Sequence, residues 1–329
     1  MAVMIACSPS TGSSLLRRIL NRHPEIFCGS ESSILAKAPL YSDWAGSKHK
    51  IISTYPFRLR DSSWHHFRGL NLDEEYDLTA GDTDQMIKAS DSFKGFLNTF
   101  YRRVLDSVNK VYWIEKTPSN AFTASLFLEH FENGKLIHIV RDPYDTIASL
   151  VNRGMDLYQA CVVYLLNCSQ LLELLDNPRH HLIRYEELVN APEHTMRKAL
   201  EFLGIEYDSS IFEIREDVKG VTRMDGWAHD ETKAIGNKSV SRFDRLEAEE
   251  KERIKSYCDL LESNLHTEHK SIADICRRLS YAYRPSGNSD AHIKALKSER
   301  FRDIIRRTIK MSYFKFNNYP ISIVSGKER

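Results

Sequence analysis

The amino-acid sequence predicts an α/β fold with a central, mainly parallel sheet flanked by helices. Two stretches carry that expectation. Residues 2–7 (AVMIAC) are a continuous apolar run that gives way at once to a Ser/Thr/Gly turn and then to an amphipathic segment. Residues 135–140 (KLIHIV) repeat the pattern of apolar run, polar turn and helical spacing. Apolar runs without alternation suit strands buried on both faces, and the helical segments between them suit the crossovers that a parallel sheet needs.

In chain order, residues 2–7 form the first strand and Ser8 to Gly12 the turn. Leu15, Leu16, Ile19 and Leu20 then recur at helical spacing until His23-Pro24, where proline cannot continue a helix. His23 reads as a helix-end group rather than a proton carrier. Residues 94–108 are predicted helical and 111–114 a buried strand; 119–131 form a helix with Ser119 as its N-cap. The strand at 135–140 leads to a helix over 144–153, a long apolar helix through about 176, and a strand at 181–184. Residues 59–85 are polar and irregular, and 215–241 are mixed with three glycines. Lid insertions are therefore placed near 42–93 and 215–241 of a domain spanning 1–284. Within them Trp44, Trp64 and Trp227 are candidates for an acceptor pocket. Beyond Pro285, residues 285–329 read as a basic helical C-terminal extension. From 289 onward ten Lys and Arg stand against four Asp and Glu, a net +6 that leaves −5 on residues 1–288.

Composition narrows the function. The 329 residues are 42% hydrophobic with a net charge of +1, which argues against bulk electrostatic binding to nucleic acid or anionic membrane. No apolar run approaches the ~18 residues of a membrane span. The N-terminus lacks the charged and apolar regions of a secretory signal, so a cytoplasmic location is expected. Six cysteines without a C-x-x-C pair read as free, buried thiols. The pairs His65-His66 and His180-His181 have no further ligands at zinc spacing, so no metal site is assigned.

Two constellations point to anion chemistry. The first is the turn Ser8-Pro9-Ser10-Thr11-Gly12-Ser13-Ser14, where a strand runs into a helix N-terminus. Unpaired backbone N–H groups, the helix dipole, a glycine permitting close approach and several hydroxyls together suit a phosphate. No lysine follows Gly12, so the turn is P-loop-like without being a Walker ATP or GTP loop. A plain helix start capped by Ser or Thr is the simpler alternative. The second constellation is Arg141-Asp142-Pro143-Tyr144-Asp145 at the end of the 135–140 strand, with Ser149 on the following helix. A guanidinium fork and a hydroxyl suit a second phosphate, although Arg141 could equally serve an ion pair with a neighbouring aspartate.

Taken in order, these motifs resemble the sulfotransferases that use 3′-phosphoadenosine 5′-phosphosulfate (PAPS). Residues 9–16 resemble that family's phosphosulfate loop, P-[RK]-S-G-T-T-L-L. Arg141 through Ser149 match its 3′-phosphate motif, R-[DN]-P-x-x-x-x-x-S, and Tyr185-Glu186-Glu187-Leu188 its Y-E-[DE]-L segment. The resemblance covers about residues 2–35, 111–153 and 181–205, more loosely 236–243. Locally, residues 17–33 are most similar to the tyrosylprotein branch. It implies Glu31 as general base and Lys116, in Glu115-Lys116-Thr117-Pro118, as the cation beside the departing phosphate. It further implies a 5′-phosphate site at Ser10, Thr11, Gly12, Ser13 and Ser14, and a 3′-phosphate site at Arg141 and Ser149. Tyr185 would lie near the adenine, and Asn237, Lys238 and Arg242 would form a late nucleotide loop. The implied reaction moves a sulfuryl group from PAPS to a hydroxyl, or less readily an amine, of a small-molecule or carbohydrate acceptor. It releases 3′,5′-ADP (PAP) and requires no metal. Ser10 stands where the family has Arg or Lys, leaving Lys116, Arg17 or Arg18 to neutralise the 5′ end. Ser33 stands where the tyrosylprotein branch has an arginine that contacts substrate. A P-loop kinase-like phosphotransferase and a catalytically weak nucleotide-binding relative remain alternatives.

Overall fold

The computed structural model describes residues 2–29, 31–48, 78–213, 235–236, 239–264 and 271–287. Among the described residues five strands form one sheet: β1 (Val3–Cys7), β2 (Ile26–Phe27), β3 (Tyr112–Lys116), β4 (Lys135–Val140) and β5 (His180–Arg184). Their order is β2-β3-β1-β4-β5, and every pairing is parallel. Strand β1 lies in the middle, and the chain departs from it toward both edges of the sheet. The C-terminal end of β1 is therefore a switch point, where the crossovers leave on opposite sides and open a crevice. Register brings Ile5 opposite Lys116 on β3 and Cys7 opposite Ile139 on β4.

Among the described helices are α1 (Ser13–Asn21), α2 (Ala38–Ser42), α3 (Ala80–Ala89), α4 (Phe93–Val108), α5 (Ala124–His130), α6 (Pro143–Asn152), α7 (Leu157–Leu172), α8 (Tyr185–Asn190), α9 (Pro192–Leu203), α10 (Ala248–Asn264) and α11 (Ile272–Arg278). Side-chain alternation along β1 sorts them into layers. Met4 and Ala6 face a cluster with Phe96 and Phe100 of α4 and Phe127 of α5. Val3, Ile5 and Cys7 face Leu16, Ile19 and Leu20 of α1 and Met196 and Leu200 of α9. A third cluster joins Tyr144 of α6 and Tyr164 of α7 to Cys258 of α10 and Ile275 of α11.

Several elements depart from expectation. The helix expected at 119–131 begins as a 3₁₀ turn, Pro118–Phe122, and Ser119 does not cap it. The break at Thr123 has a local cause: its φ is −123° and its hydroxyl donates to Leu35 O at 2.7 Å, a side-chain bond that competes with helix continuation. Residues expected to be irregular up to 85 are helical from Ala80. There the Thr79 and Asp82 side chains each bond the other's backbone N–H in a capping box. Trp44 belongs to the core, stacked on Phe96 with its indole N–H donating to Ser90 O at 2.9 Å, so it lines no acceptor pocket. Trp64, Trp227, most of both insertions and residues 288–329 lie outside the described residues. All six cysteines are free and buried. His23 accepts from Glu25 N through Nδ1 (3.1 Å) and meets Glu206 O through Nε2 (2.9 Å), which makes it a structural tie between loops. Among the described residues no helix is long and apolar enough to cross a membrane.

Candidate active site

The turn after β1 holds Ser10 at φ 68° and Gly12 at φ 97°, both left-handed. Gly12 is the N-cap of α1 and brings no side chain to it, while the neighbouring Thr11 hydroxyl donates backwards to Ser8 O at 2.7 Å. The simple capped-helix reading therefore does not hold, and the first-turn N–H groups of α1 receive no side-chain cap from the N-cap residue at the positive end of the helix dipole. Glycine is required at position 12 for a second reason. A Cβ there would lie 2.3 Å from Cδ2 of Tyr185, the first residue of α8.

Tyr185 links this turn to the second motif. The Arg141 guanidinium lies 5.1 Å from the Tyr185 ring centroid, and Nη1 donates to Ser10 O at 3.2 Å. Its Nη2 donates to Ser239 O and pairs with Asp145 at 3.4 Å. Asp145 in turn accepts from Phe243 N at 2.8 Å, which fastens the 239–245 segment to the head of α6. Asp145, Ser149 and Arg153 follow Arg141 at four-residue intervals, one stripe along α6 and its C-cap. Ser149 is buried on that stripe.

The charges here are crowded. Burial works against the cationic form of Arg153, and the charges of Arg242 and Arg141 add to it while Glu31 offsets it. Burial likewise disfavours the charge of Arg242, with Arg141 and Arg245 next in effect. Among the described residues, Ser10 Oγ, Arg141 Nε and Arg242 Nε are buried without a hydrogen-bond partner. Each such group costs about 1–3 kcal/mol when left unmet. A multiply charged anion would supply both the missing acceptors and the missing negative charge.

The third part is an ion pair. Lys116 ends β3, and its Nζ donates to Glu31 Oε1 at 2.5 Å. The lysine side chain is 4% exposed and the glutamate 44%, so the cation sits inside and the carboxylate at the mouth. Beneath them Cys7 and Cys28 are pushed up by burial to about 11 and about 12, which keeps both as thiols rather than nucleophilic thiolates. Serines at positive φ mark three loops of the site: Ser10, Ser33 and Ser241 (φ 68°, 53° and 57°). Strained positions of this kind persist where the surroundings hold them.

The structure thus gathers Ser10, Gly12, Arg141, Tyr185 and Arg242 through direct contacts or shared charge, and sets Glu31 against Lys116. The Ser13 side chain is buried and the Ser14 side chain half-buried at the start of α1. Arg17 is turned toward Cys28 O (3.5 Å). Asn237 and Lys238 lie outside the described residues. Arg153 was not expected from the sequence, although the period Arg141, Asp145, Ser149, Arg153 would have found it. Glu115 was also missed, because a strand-end carboxylate next to a lysine carries no signature of its own.

A family model described as the sulfotransferase family matches residues 2–209. The chain belongs to that family. It is 26% identical over 233 residues to protein-tyrosine sulfotransferase 2 of Gallus gallus, covering 65% of this chain and 54% of that protein. It is 29% identical over 133 residues to omega-hydroxy-beta-dihydromenaquinone-9 sulfotransferase Stf3 of Mycobacterium bovis, covering 33% of this chain and 34% of that one. The chain spans about half the length of the tyrosine-directed relatives it matches. In fold it is similar to the sulfotransferase domain of the Synechococcus PCC 7002 olefin synthase, with a TM-score of 0.54 at 19% identity over 86% of this chain and 95% of that domain.

Proposed function

We propose that this chain transfers a sulfuryl group from PAPS to an acceptor hydroxyl, releasing 3′,5′-ADP. The observation that carries the reading is the Lys116–Glu31 pair at the end of β3, one strand from a turn whose buried Ser10 hydroxyl has no hydrogen-bond partner among the described residues. Glu31 takes the hydroxyl proton as the acceptor oxygen attacks sulfur. The bond from sulfur to the 5′-phosphate oxygen breaks, and Lys116 holds the negative charge that stays on that phosphate. In the free protein the two charges neutralise each other. Donor phosphate competes with Glu31 for Nζ, so donor binding frees the carboxylate to act as base. The turn at 8–14 serves the 5′ end, and Arg141, Ser149, Arg153 and Arg242 serve the 3′-phosphate; no metal is needed, since these cations supply the positive charge.

The acceptor is proposed to be a small molecule or carbohydrate. Ser33 stands where the tyrosylprotein branch has its substrate-contacting arginine, and its backbone N–H is committed to Thr117 Oγ1 at 3.1 Å. A kinase-like reaction is disfavoured by the turn itself, which lacks the phosphate-reaching lysine.

The test is calorimetric binding of 3′,5′-ADP beside ADP without magnesium, followed by PAPS turnover in the parent and in Glu31→Gln. Preference for the 3′-phosphorylated nucleotide, with binding retained and turnover lost in the variant, is the expected result. Equal affinity for the two nucleotides overturns the donor assignment, and undiminished turnover in Glu31→Gln overturns the base.

A further inference from the structure

We infer that Glu115 is a positioning residue whose buried carboxylate clamps together the two segments that carry Glu31 and Lys116. Its kinetic consequence rests on the sulfuryl-transfer reading above; its structural consequence does not.

Successive residues of β3 point to opposite faces of the sheet. Trp113 packs with Phe100 on the α4 side, whereas Ile114 packs with Ile5 and Leu16 on the α1 side. Glu115 therefore turns away from the face to which Lys116 turns, and acts on the site from behind. Its Oε1 accepts from Ser32 Oγ at 2.9 Å and from Thr117 Oγ1 at 2.6 Å. Its Oε2 accepts from Asn120 Nδ2 at 2.6 Å, and the same Nδ2 donates to Ile5 O at 3.0 Å. Ser33 N closes the ring by donating to Thr117 Oγ1 at 3.1 Å. Apart from Asn120, which relays the hold to Ile5 O, the groups so bound adjoin the ion pair: Ser32 and Ser33 follow Glu31, Thr117 follows Lys116, and Ile5 is the register partner of Lys116.

A carboxylate is a costly way to fill this space. Burial pushes its pKa up, and an apolar side chain of similar volume would pack without that penalty. The three donors favour the charged form, and together they fix loop geometry that apolar contacts would leave free to slide. Ser33 needs such a hold, since φ 53° is a conformation that a serine abandons unless its surroundings over-determine it. The clamp supplies that constraint one residue from Glu31's neighbour, and the consequence is a fixed distance between base and cation.

The experiment uses the full chain with Glu115→Ala, Glu115→Gln and Ser32→Ala. Three readouts are compared with the parent: 3′,5′-ADP affinity by calorimetry, PAPS turnover with p-nitrophenol as acceptor, and the crystal structure of each variant. Affinity is expected not to fall, because none of the described bonds of the turn, Arg141 or Arg242 involves Glu115 and an opened Glu31–Lys116 contact removes the carboxylate that competes with the phosphate for Nζ. Turnover per nucleotide-binding site in Glu115→Ala is expected to fall about 10- to 100-fold with little change in KM for PAPS, the size of effect that a misplacement near 1 Å produces. Glu115→Gln keeps an acceptor for Ser32 and Thr117 and is expected to recover part of the loss. The Glu31–Lys116 contact is expected to open in the Glu115→Ala structure. Unchanged turnover per binding site, or a Glu31–Lys116 contact that persists in that structure, overturns the clamp. If Glu115→Ala fails to fold, Ser32→Ala removes one arm and leaves the carboxylate in place, and the same readouts apply to it. A parent that neither prefers 3′,5′-ADP nor consumes PAPS defeats the functional reading instead, and the variant structures still decide the clamp.

Discussion

Substituting Gly12 by alanine tests how the turn after β1 is held. Two costs can be worked from the structure. A residue with a Cβ at φ 97° enters a left-handed conformation at about 1–2 kcal/mol. The new Cβ would also lie 2.3 Å from Tyr185 Cδ2 and 2.9 Å from Cε2, well inside contact distance. Moving the ring or the turn to relieve that overlap costs about 1–3 kcal/mol. Together the loss is roughly 2–5 kcal/mol, and affinity for 3′,5′-ADP should fall with it because the turn itself is displaced. Urea unfolding measures the total, and repeating the substitution in a Tyr185→Leu background separates the parts. There the steric share should vanish and about 1–2 kcal/mol of backbone strain remain. Equal losses in both backgrounds would show that the ring is not what Gly12 accommodates, and the convergence of the turn with α8 would then be wrong.

Arg141→Lys keeps the charge but loses the fork that reaches Ser10, Ser239 and Asp145 together; 3′,5′-ADP affinity should drop roughly 10- to 100-fold and ADP affinity much less, with equal losses refuting a 3′-phosphate role. Acid should destabilise the fold through His138 and His180, which meet at 3.2 Å; burial holds His138 well below the ordinary imidazole range and pushes His180 down to about 4. The unfolded chain takes up protons that the folded one refuses, so their contribution is intact above pH ~6.5 and is lost as pH falls toward 4, by up to ~1.4 kcal/mol per pH unit for each imidazole. His180→Gln should flatten that limb in a pH series of urea melts. Arg284 lies over the Tyr144 and Phe243 rings and pairs with Asp142 and Asp244. Arg284→Ala should cost about 1–2 kcal/mol and weaken 3′,5′-ADP binding, whereas a variant of parental affinity would show that Arg284 does not support the site.

The elements legible in the chain are those that local chemistry specifies. The apolar run into Ser8–Gly12 and then α1, and β4 running into Arg141–Asp145 and α6, follow from burial periodicity and turn residues within a few positions of each other. Arg153 obeyed the same logic and was legible in principle. The short β2 was not, since Ile26-Phe27 alone cannot be told from loop, and α3 was obscured by the acidic residues that cap and flank it.

What the linear chain leaves open is every relation between distant segments. Family motifs assigned roles to Glu31 and Lys116, but their 2.5 Å contact depends on β3 lying parallel beside β1, in the register that places Lys116 opposite Ile5. The contact of Tyr185 with Gly12, the bond from Arg141 to Ser10 and the Glu115 clamp arise the same way. Their physical cause is the burial of both faces of a five-stranded parallel sheet, which selects one strand order and one register from many that local propensity allows. Residue type and spacing decide which chemistry each loop can offer; that packing decides which loops meet.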